Sequence, residues 1–438
     1  MFLYRILSVL ALLAYSPVAL FRSMTGRKKM GDVRGKLGLL PYPDLDGGIW
    51  VHAVSVGEVG VARNLLTALS KRAPAGTRLG LSATTVAGLE TARRTSVDRW
   101  PVFSFPLDLA GPVEKALAAV RPGLVVLTET ELWPLLIDRA VRRGAGVALV
   151  NGRISDRSLR RYRLVRRWFA RSLERISLFA MQSEEDSRRI RELGAPADRV
   201  LVTGNVKYDL APAPPFADAA RLSSLAAGRP VLVAASTGPG EEAIVLDAWK
   251  GLESRTVLAI APRRPERFEE VARLVESKGF AVIRRSDPGA LSNHKSQIPN
   301  HKSSVYVLDT VGELASLYGE AAIAFIGGSL IPTGGHNPIE AWAQGVAVLV
   351  GPHTQSFREI TEAGEKQGVL HRVAGGEELA RAFEAAAADP EAAAARGAAA
   401  RAFVAKSRGA AEATAEAIVK LLPAEPVPAK EKSRAALP

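Results

Sequence analysis

The sequence predicts an α/β protein with two parallel-sheet domains, and three observations lead there. Short apolar runs alternate with helical periodicity along most of the chain, the pattern of parallel strands with helices on both faces. The alternation runs twice, and between the rounds lies Ala211-Pro212-Ala213-Pro214-Pro215. Prolines at that density make a stiff, extended connector. The length of 438 residues fits two domains at ~100–200 residues each. The expected division is 1–24 as a membrane anchor, 25–210 as the first domain and 211–216 as linker. The second domain is expected over 217–422, with a loose tail over 423–438.

Phe2 to Phe21 is apolar apart from Arg5 and a few small or hydroxyl residues, and Arg22, Arg27, Lys28 and Lys29 follow at once. That is about the ~20 residues a bilayer span requires. Positive charge just after the segment predicts that the bulk of the chain is cytoplasmic. A cleaved signal peptide would carry its charge before the apolar core, so an uncleaved anchor is expected. Pro17 and Arg5 leave open a helix lying in the interface.

In the first round, Ile49 to Val56 reads as a buried strand, Gly57-Glu58-Val59-Gly60 as a tight turn and Val61 to Leu69 as a helix. Glu58 then sits at the carboxyl end of a strand near a helix start. It is either a favourable N-terminal charge or a general base. Thr77 to Thr84 and Pro101 to Asp108 follow as strands. Leu124 to Glu131 ends in two carboxylates, Glu129 and Glu131, two apart and hence on one side of an extended chain. A solvated loop or an ion pair would account for them equally well. Gly146 to Val150 is a strand followed by Asn151-Gly152-Arg153. From Arg153 to Arg175 there are nine arginines against Asp156 and Glu174, with Leu159, Tyr162, Val165, Trp168 and Phe169 at helical spacing. This basic amphipathic stretch is either a solvated face or a contact for phosphates of a lipid surface or substrate.

In the second round, strands are expected at Pro230 to Ala235, Val257 to Ala261 and Val305 to Asp309. The stretch Phe325 to His353 carries the densest signal. It reads as a strand ending in Gly327-Gly328, a loop with Gly334-Gly335-His336-Asn337, a helix with Glu340, and another strand. Glycines let backbone N–H groups approach an anion, and a helix start adds a favourable dipole. The polar insert Ser286 to Ser304, with Asn-His-Lys-Ser twice, reads as a disordered loop.

The chain has no cysteine and a net charge of +13. Disulfides, thiolate metal sites and cysteine nucleophiles are excluded. The charge favours an anionic partner. With no nucleic-acid module in the chain, a lipid surface or phosphorylated substrate is the expectation, not nucleic acid.

The segments HAVSVGEV (52–59), TETELWP (128–134), NGRISDRS (151–158), TGNVKYD (203–209), PRRPERF (262–268) and GGSLIPTGGHNPIEA (327–341), with GPH (351–353), together resemble the 3-deoxy-D-manno-octulosonic acid (Kdo) transferase family. The resemblance covers nearly the whole chain. It implies a GT-B fold, two Rossmann-like domains facing a cleft, behind an N-terminal membrane-anchor helix. It further implies inverting, metal-independent transfer of Kdo from CMP-Kdo to a lipid A precursor, without cofactor, at the cytoplasmic face of the inner membrane. Glu58 would be the general base. Ser236, Thr237, Arg263, Gly328, Gly334, Gly335, His336, Asn337 and Glu340 would hold the donor. Ser55, Gly57, Glu129, Glu131, Arg153 and Arg157 would meet the acceptor. Closure of the domains would be needed for reaction. Two other readings stay open: a GT-B transferase acting on another lipid-linked acceptor, and a non-catalytic relative that binds anionic lipid.

Overall fold

A computed structural model describes residues 32–96, 99–287 and 303–422. The expected anchor, most of the 286–304 insert and the tail lie outside the described residues. Among the described residues, no helix is long and apolar enough to cross a membrane.

The chain forms two compact units. The first is a seven-stranded, all-parallel sheet in the order β3-β2-β1-β4-β5-β6-β7. Its strands are β1 (Ile49–Ala53), β2 (Leu79–Ala83), β3 (Val102–Ser104), β4 (Leu124–Thr128), β5 (Gly146–Gly152), β6 (Leu178–Met181) and β7 (Val200–Val202). The second is also seven-stranded and all-parallel, in the order β10-β11-β9-β8-β12-β13-β14. It comprises β8 (Val231–Thr237), β9 (Val257–Pro262), β10 (Ala281–Arg284), β11 (Ser304–Val307), β12 (Ile323–Ile326), β13 (Ala347–Val350) and β14 (Leu370–Arg372). Central strands β1, β4 and β12 are buried along their whole length, as expected of strands with helices on both faces. Chain order reverses between β1 and β4 in the first sheet and between β8 and β12 in the second. The carboxyl ends flanking such a switch point are where open α/β sheets bind ligands.

Two expectations are corrected. Residues 56–60 are not a turn: one helix runs Val56–Arg72, with Ser55 as its N-cap. The spacing Ser55-x-x-Glu58 is a capping box, and its hydrogen bonds outweigh the low helix preference of Gly57 and Gly60. The basic stretch is helical, as its spacing predicts, in two helices, Asp156–Leu164 and Arg166–Leu173, meeting at Val165.

The second unit ends at Lys406 and not at 422, because residues 407–422 return to the first unit. The Ala410–Val419 helix buries Ala410, Ala411, Ala415 and Ile418 in the same apolar cluster as Val59, Leu65 and Leu69. The Asp209 carboxylate accepts the N–H groups of Gly409 and Ala411 at 2.6 Å each, satisfying amides that a helix start leaves unpaired. An Ala-rich sequence gives no sign of which unit it joins. Residues 211–216, expected as the linker, carry no regular structure and fall within the second unit, which begins at Leu210.

Candidate functional site

Both switch points carry polar clusters. In the first unit, Glu58 is 7% exposed. Its Oε1 accepts the Ser55 hydroxyl at 2.8 Å, and its Oε2 accepts the Val54 N–H at 2.9 Å. The Thr128 hydroxyl at the end of β4 lies 3.1 Å from the same Oε2 and 2.8 Å from the His52 carbonyl. Burial pushes the Glu58 carboxyl above the ordinary range. The Val54 bond opposes this and the charge of Glu129 adds to it. The result is a carboxylate held in one orientation by both strands of the switch point.

Glu129 begins the loop after β4 with a left-handed backbone, φ 55°, and donates its N–H to the Val150 carbonyl at 2.8 Å. Such a conformation is rare outside glycine and asparagine, and it is accommodated here by the bond to β5. The Glu131 carboxyl is pushed up to about 7, first by burial and then by the charges of Glu58 and Glu129. Three predicted carboxylates therefore form one electrostatic cluster. Arg153 adjoins it through its backbone, whose N–H and carbonyl both meet the Thr130 hydroxyl. Gly57 is exposed beside Glu58, and an added Cβ would meet nothing closer than the Ser55 hydroxyl at 4.0 Å. Arg157 is exposed on its helix, four residues on from Arg153.

Lys207 was not among the expected site residues. Its Nζ lies 2.7 Å from Glu129 Oε1. The TGNVKYD segment contains it, but only the fold brings it 78 residues back along the chain. Beneath the cluster, His52 is fully buried and stacks on Phe105 with ring centroids 3.6 Å apart. Burial pushes it down to about 3, so it is neutral at physiological pH. The Ser82 hydroxyl accepts the Trp50 indole N–H at 2.7 Å and lies 2.9 Å from His52 Nδ1. His52 is thus a packed, hydrogen-bonded part of the floor.

In the second unit, the chain leaves β8 through Ser236, which has φ 54° and sits at a register shift between Ala235 and Thr237. Thr237 is fully buried, and its hydroxyl has no hydrogen-bond partner. The Thr237 carbonyl accepts the Arg263 N–H at 3.0 Å. Across the switch point, the loop after β12 folds back so that Gly335 donates its N–H to the Gly328 carbonyl at 2.7 Å. Gly328 has φ 68°, and a Cβ there would come within 2.8 Å of the Thr333 hydroxyl and 3.0 Å of His336 Nε2. At Gly334, φ 98°, it would fall 2.4 Å from the Ser356 hydroxyl. Both positions need glycine on conformation and on space.

His336, Glu340 and Arg263 share one neighbourhood. Burial and then the Arg263 charge push His336 down to about 4, leaving it neutral. Burial pushes Glu340 up while Arg263 pulls it down. Asn337 Oδ1 accepts the Ile339 N–H at 3.1 Å, starting the Ile339–Ala343 helix.

Glu241 was also missed. It is fully buried, and its carboxylate accepts four backbone N–H groups: Gly238 at 2.8 Å, Gly328 at 2.6 Å, Ser329 at 3.0 Å and Leu330 at 2.9 Å. It ties the β8 loop to the β12 loop. In the sequence it looks like an ordinary acid in a helix's first turn. Next to it, fully buried Glu242 makes a two-pronged pair with Arg267 at 2.6 and 3.0 Å. Arg267 of the PRRPERF segment is therefore structural, while Arg263 is exposed.

Comparison with known proteins places this geometry. A sequence profile described as 3-deoxy-D-manno-octulosonic-acid transferase (kdotransferase) matches residues 27–210. The 3-deoxy-D-manno-octulosonic acid transferase of Haemophilus influenzae is 34% identical over 396 residues, covering 88% of this chain and 90% of that protein. The Bordetella pertussis transferase of the same description is 33% identical over 349 residues, covering 77% and 79%. In fold, the chain is similar to a UDP-GlcNAc 2-epimerase from Neisseria meningitidis solved with UDP-GlcNAc. That likeness has a TM-score of 0.53 at 13% identity, covering 86% of this chain and 99% of the other. The two parallel sheets and these relatives define a glycosyltransferase of GT-B-like fold. The chain belongs to the 3-deoxy-D-manno-octulosonic acid transferase family.

Proposed function

We propose that this glycosyltransferase moves Kdo from CMP-Kdo to a hydroxyl of a lipid A precursor in a single, inverting, metal-independent displacement. Glu58 takes the proton of the acceptor hydroxyl as its oxygen attacks the anomeric carbon. The bond from that carbon to the CMP phosphate oxygen breaks, and its electron pair leaves with CMP. Arg263 and the amides of the glycine loop meet the charge that grows on the leaving phosphate, where fixed donors lower the barrier most. One base suffices for one displacement. The observation that carries this reading is Glu58 itself, a buried carboxylate fixed at a switch point among hydrogen-bond donors. Incubating purified protein with CMP-Kdo and a lipid A precursor is expected to add the mass of Kdo to the acceptor and release CMP. No added mass, under conditions where a known Kdo transferase works, overturns the reading.

A lipid acceptor calls for approach to a membrane, which this reading takes to be the cytoplasmic face of the inner membrane, and the surface of the first unit supports contact with a lipid surface. Leu164 is 86% exposed and Val165 48% exposed at the junction of the two basic helices. Arg160, Arg161, Arg166 and Arg167 around them are exposed as well. Apolar side chains enter the acyl boundary while cations meet lipid phosphates. The double change Leu164→Asp and Val165→Asp is expected to cut binding to anionic vesicles about tenfold in sedimentation, at about 1.4 kcal/mol per decade. Thermal stability should stay unchanged. Equal vesicle binding would remove this surface from the reading.

A further inference from the structure

We propose that Lys207 is a positioning residue that sets the charge of the carboxylate cluster, and with it the pH range in which Glu58 works. This deepens the reading of Glu58 as the base and rests on it.

The lysine is held in place with care that its ion pair alone does not explain. It lies on a single 3-10 turn, Val206–Tyr208. Asn205 Oδ1 accepts the Lys207 N–H at 3.0 Å, and Asn151 Oδ1 accepts the Val206 N–H at 3.0 Å. Asn151 takes φ 51° at an irregular end of β5 in order to reach. Asn64, on the same helix as Glu58, donates to the Asp209 carbonyl at 2.7 Å. The Lys207 and Glu129 side chains are 18% and 25% exposed. An ion pair near the surface adds at most about 1 kcal/mol to stability, so the value of this placement lies in the charge it delivers.

The groups that face Glu58 are the Val54 N–H, the Ser55 and Thr128 hydroxyls, and the charges of Glu129 and Glu131. Glu131 is faced in turn by Tyr162, which also feels Arg161, and Arg153 adjoins through its backbone. The Glu129 charge makes Glu58 harder to ionise, and the charges of Glu58 and Glu129 do the same to Glu131. Lys207 is in direct contact with one of them and offsets a full unit of that charge.

The sign follows. A base works when ionised, so the acid limb of kcat/KM follows the apparent pKa of the cluster. Without Lys207, the Glu129 charge acts undiminished and the limb moves to higher pH. Without the Glu129 charge, that repulsion on Glu58 is gone and the limb moves to lower pH.

The test is the pH profile of kcat/KM for the full chain with CMP-Kdo and a lipid A precursor. Lys207→Met is expected to raise the acid limb by about one pH unit, and Lys207→Arg to leave it in place. Glu129→Gln is expected to lower it, and the double variant to return it close to the starting protein. A uniform loss at every pH in Lys207→Met, with no reversal by Glu129→Gln, overturns the proposal and makes the lysine a structural prop. Should Lys207→Met fail to fold, Glu129→Gln still decides, since a limb that does not move down overturns the proposal. Near-normal turnover in Glu58→Gln would remove the base and this proposal together. Loss in Glu58→Gln with an unshifted Lys207→Met limb removes the role of Lys207 alone.

Discussion

Replacing Glu58 by glutamine is expected to lower kcat by about 10²- to 10⁴-fold, the usual contribution of a positioned general base. With its carbonyl oxygen at the Oε2 position, glutamine can still accept the Val54 N–H and the Thr128 hydroxyl while its NH₂ donates to the Ser55 oxygen, so the local fold should survive. It loses the ability to take a proton and sets an amide donor against the Val54 N–H or a hydroxyl in one of its two orientations. CMP binding, measured by calorimetry, should be unchanged, because the residues assigned to the donor lie in the other unit. A variant that turns over within a few-fold of the starting enzyme would remove Glu58 as the base. A variant that loses CMP binding in proportion would mean that the residue holds structure and not a proton.

The largest effect on stability is expected at Glu241. Glu241→Ala leaves four N–H groups without their acceptor, on Gly238, Gly328, Ser329 and Leu330. Each buried, unsatisfied amide costs about 1–3 kcal/mol. Some will find water, so the expected loss is at least about 3 kcal/mol in urea denaturation of the second unit. Glu241→Gln should fall between, since its one carbonyl oxygen replaces two anionic ones and its NH₂ faces donors. Both changes should weaken CMP-Kdo binding more than they weaken the fold, because the residue joins the two loops of the switch point. A loss below about 1 kcal/mol for the alanine variant would show that the loops hold each other without it.

These two glutamates also mark how far the sequence could be read. The place of Glu58 at a strand's carboxyl end was legible because an apolar run is followed at once by Gly57 and the acid. Its helix start was misplaced because Gly57 and Gly60 weigh against a helix until the reciprocal Ser55–Glu58 bonds are seen. Central strands such as β1, β4 and β12 stood out as apolar runs. Strands β6, β10 and β14 did not, being three or four residues long. Glu241 and Lys207 act on partners 87 to 89 and 78 residues away. No local spacing encodes such pairings. Thr237 was named for the donor side, but its unpartnered buried hydroxyl is visible only in the fold. The Glu129–Glu131 pair, which spacing left open between a solvated loop and a site, proved to be half-buried beside Glu58.

The returning helix Ala410–Val419 has a consequence for how the chain is made. The first unit leaves the ribosome early, yet its apolar cluster stays open along Val59, Leu65 and Leu69 until this helix arrives. The Asp209 carboxylate likewise waits for the amides of Gly409 and Ala411. The second unit, continuous from Leu210 to Lys406, has all its parts sooner. Domains generally fold as units and in order of synthesis, but here the order inverts at the finish: the unit begun first is completed last. Contacts spanning some 200 residues close slowly, so the nascent first unit is the part of this enzyme most exposed to aggregation.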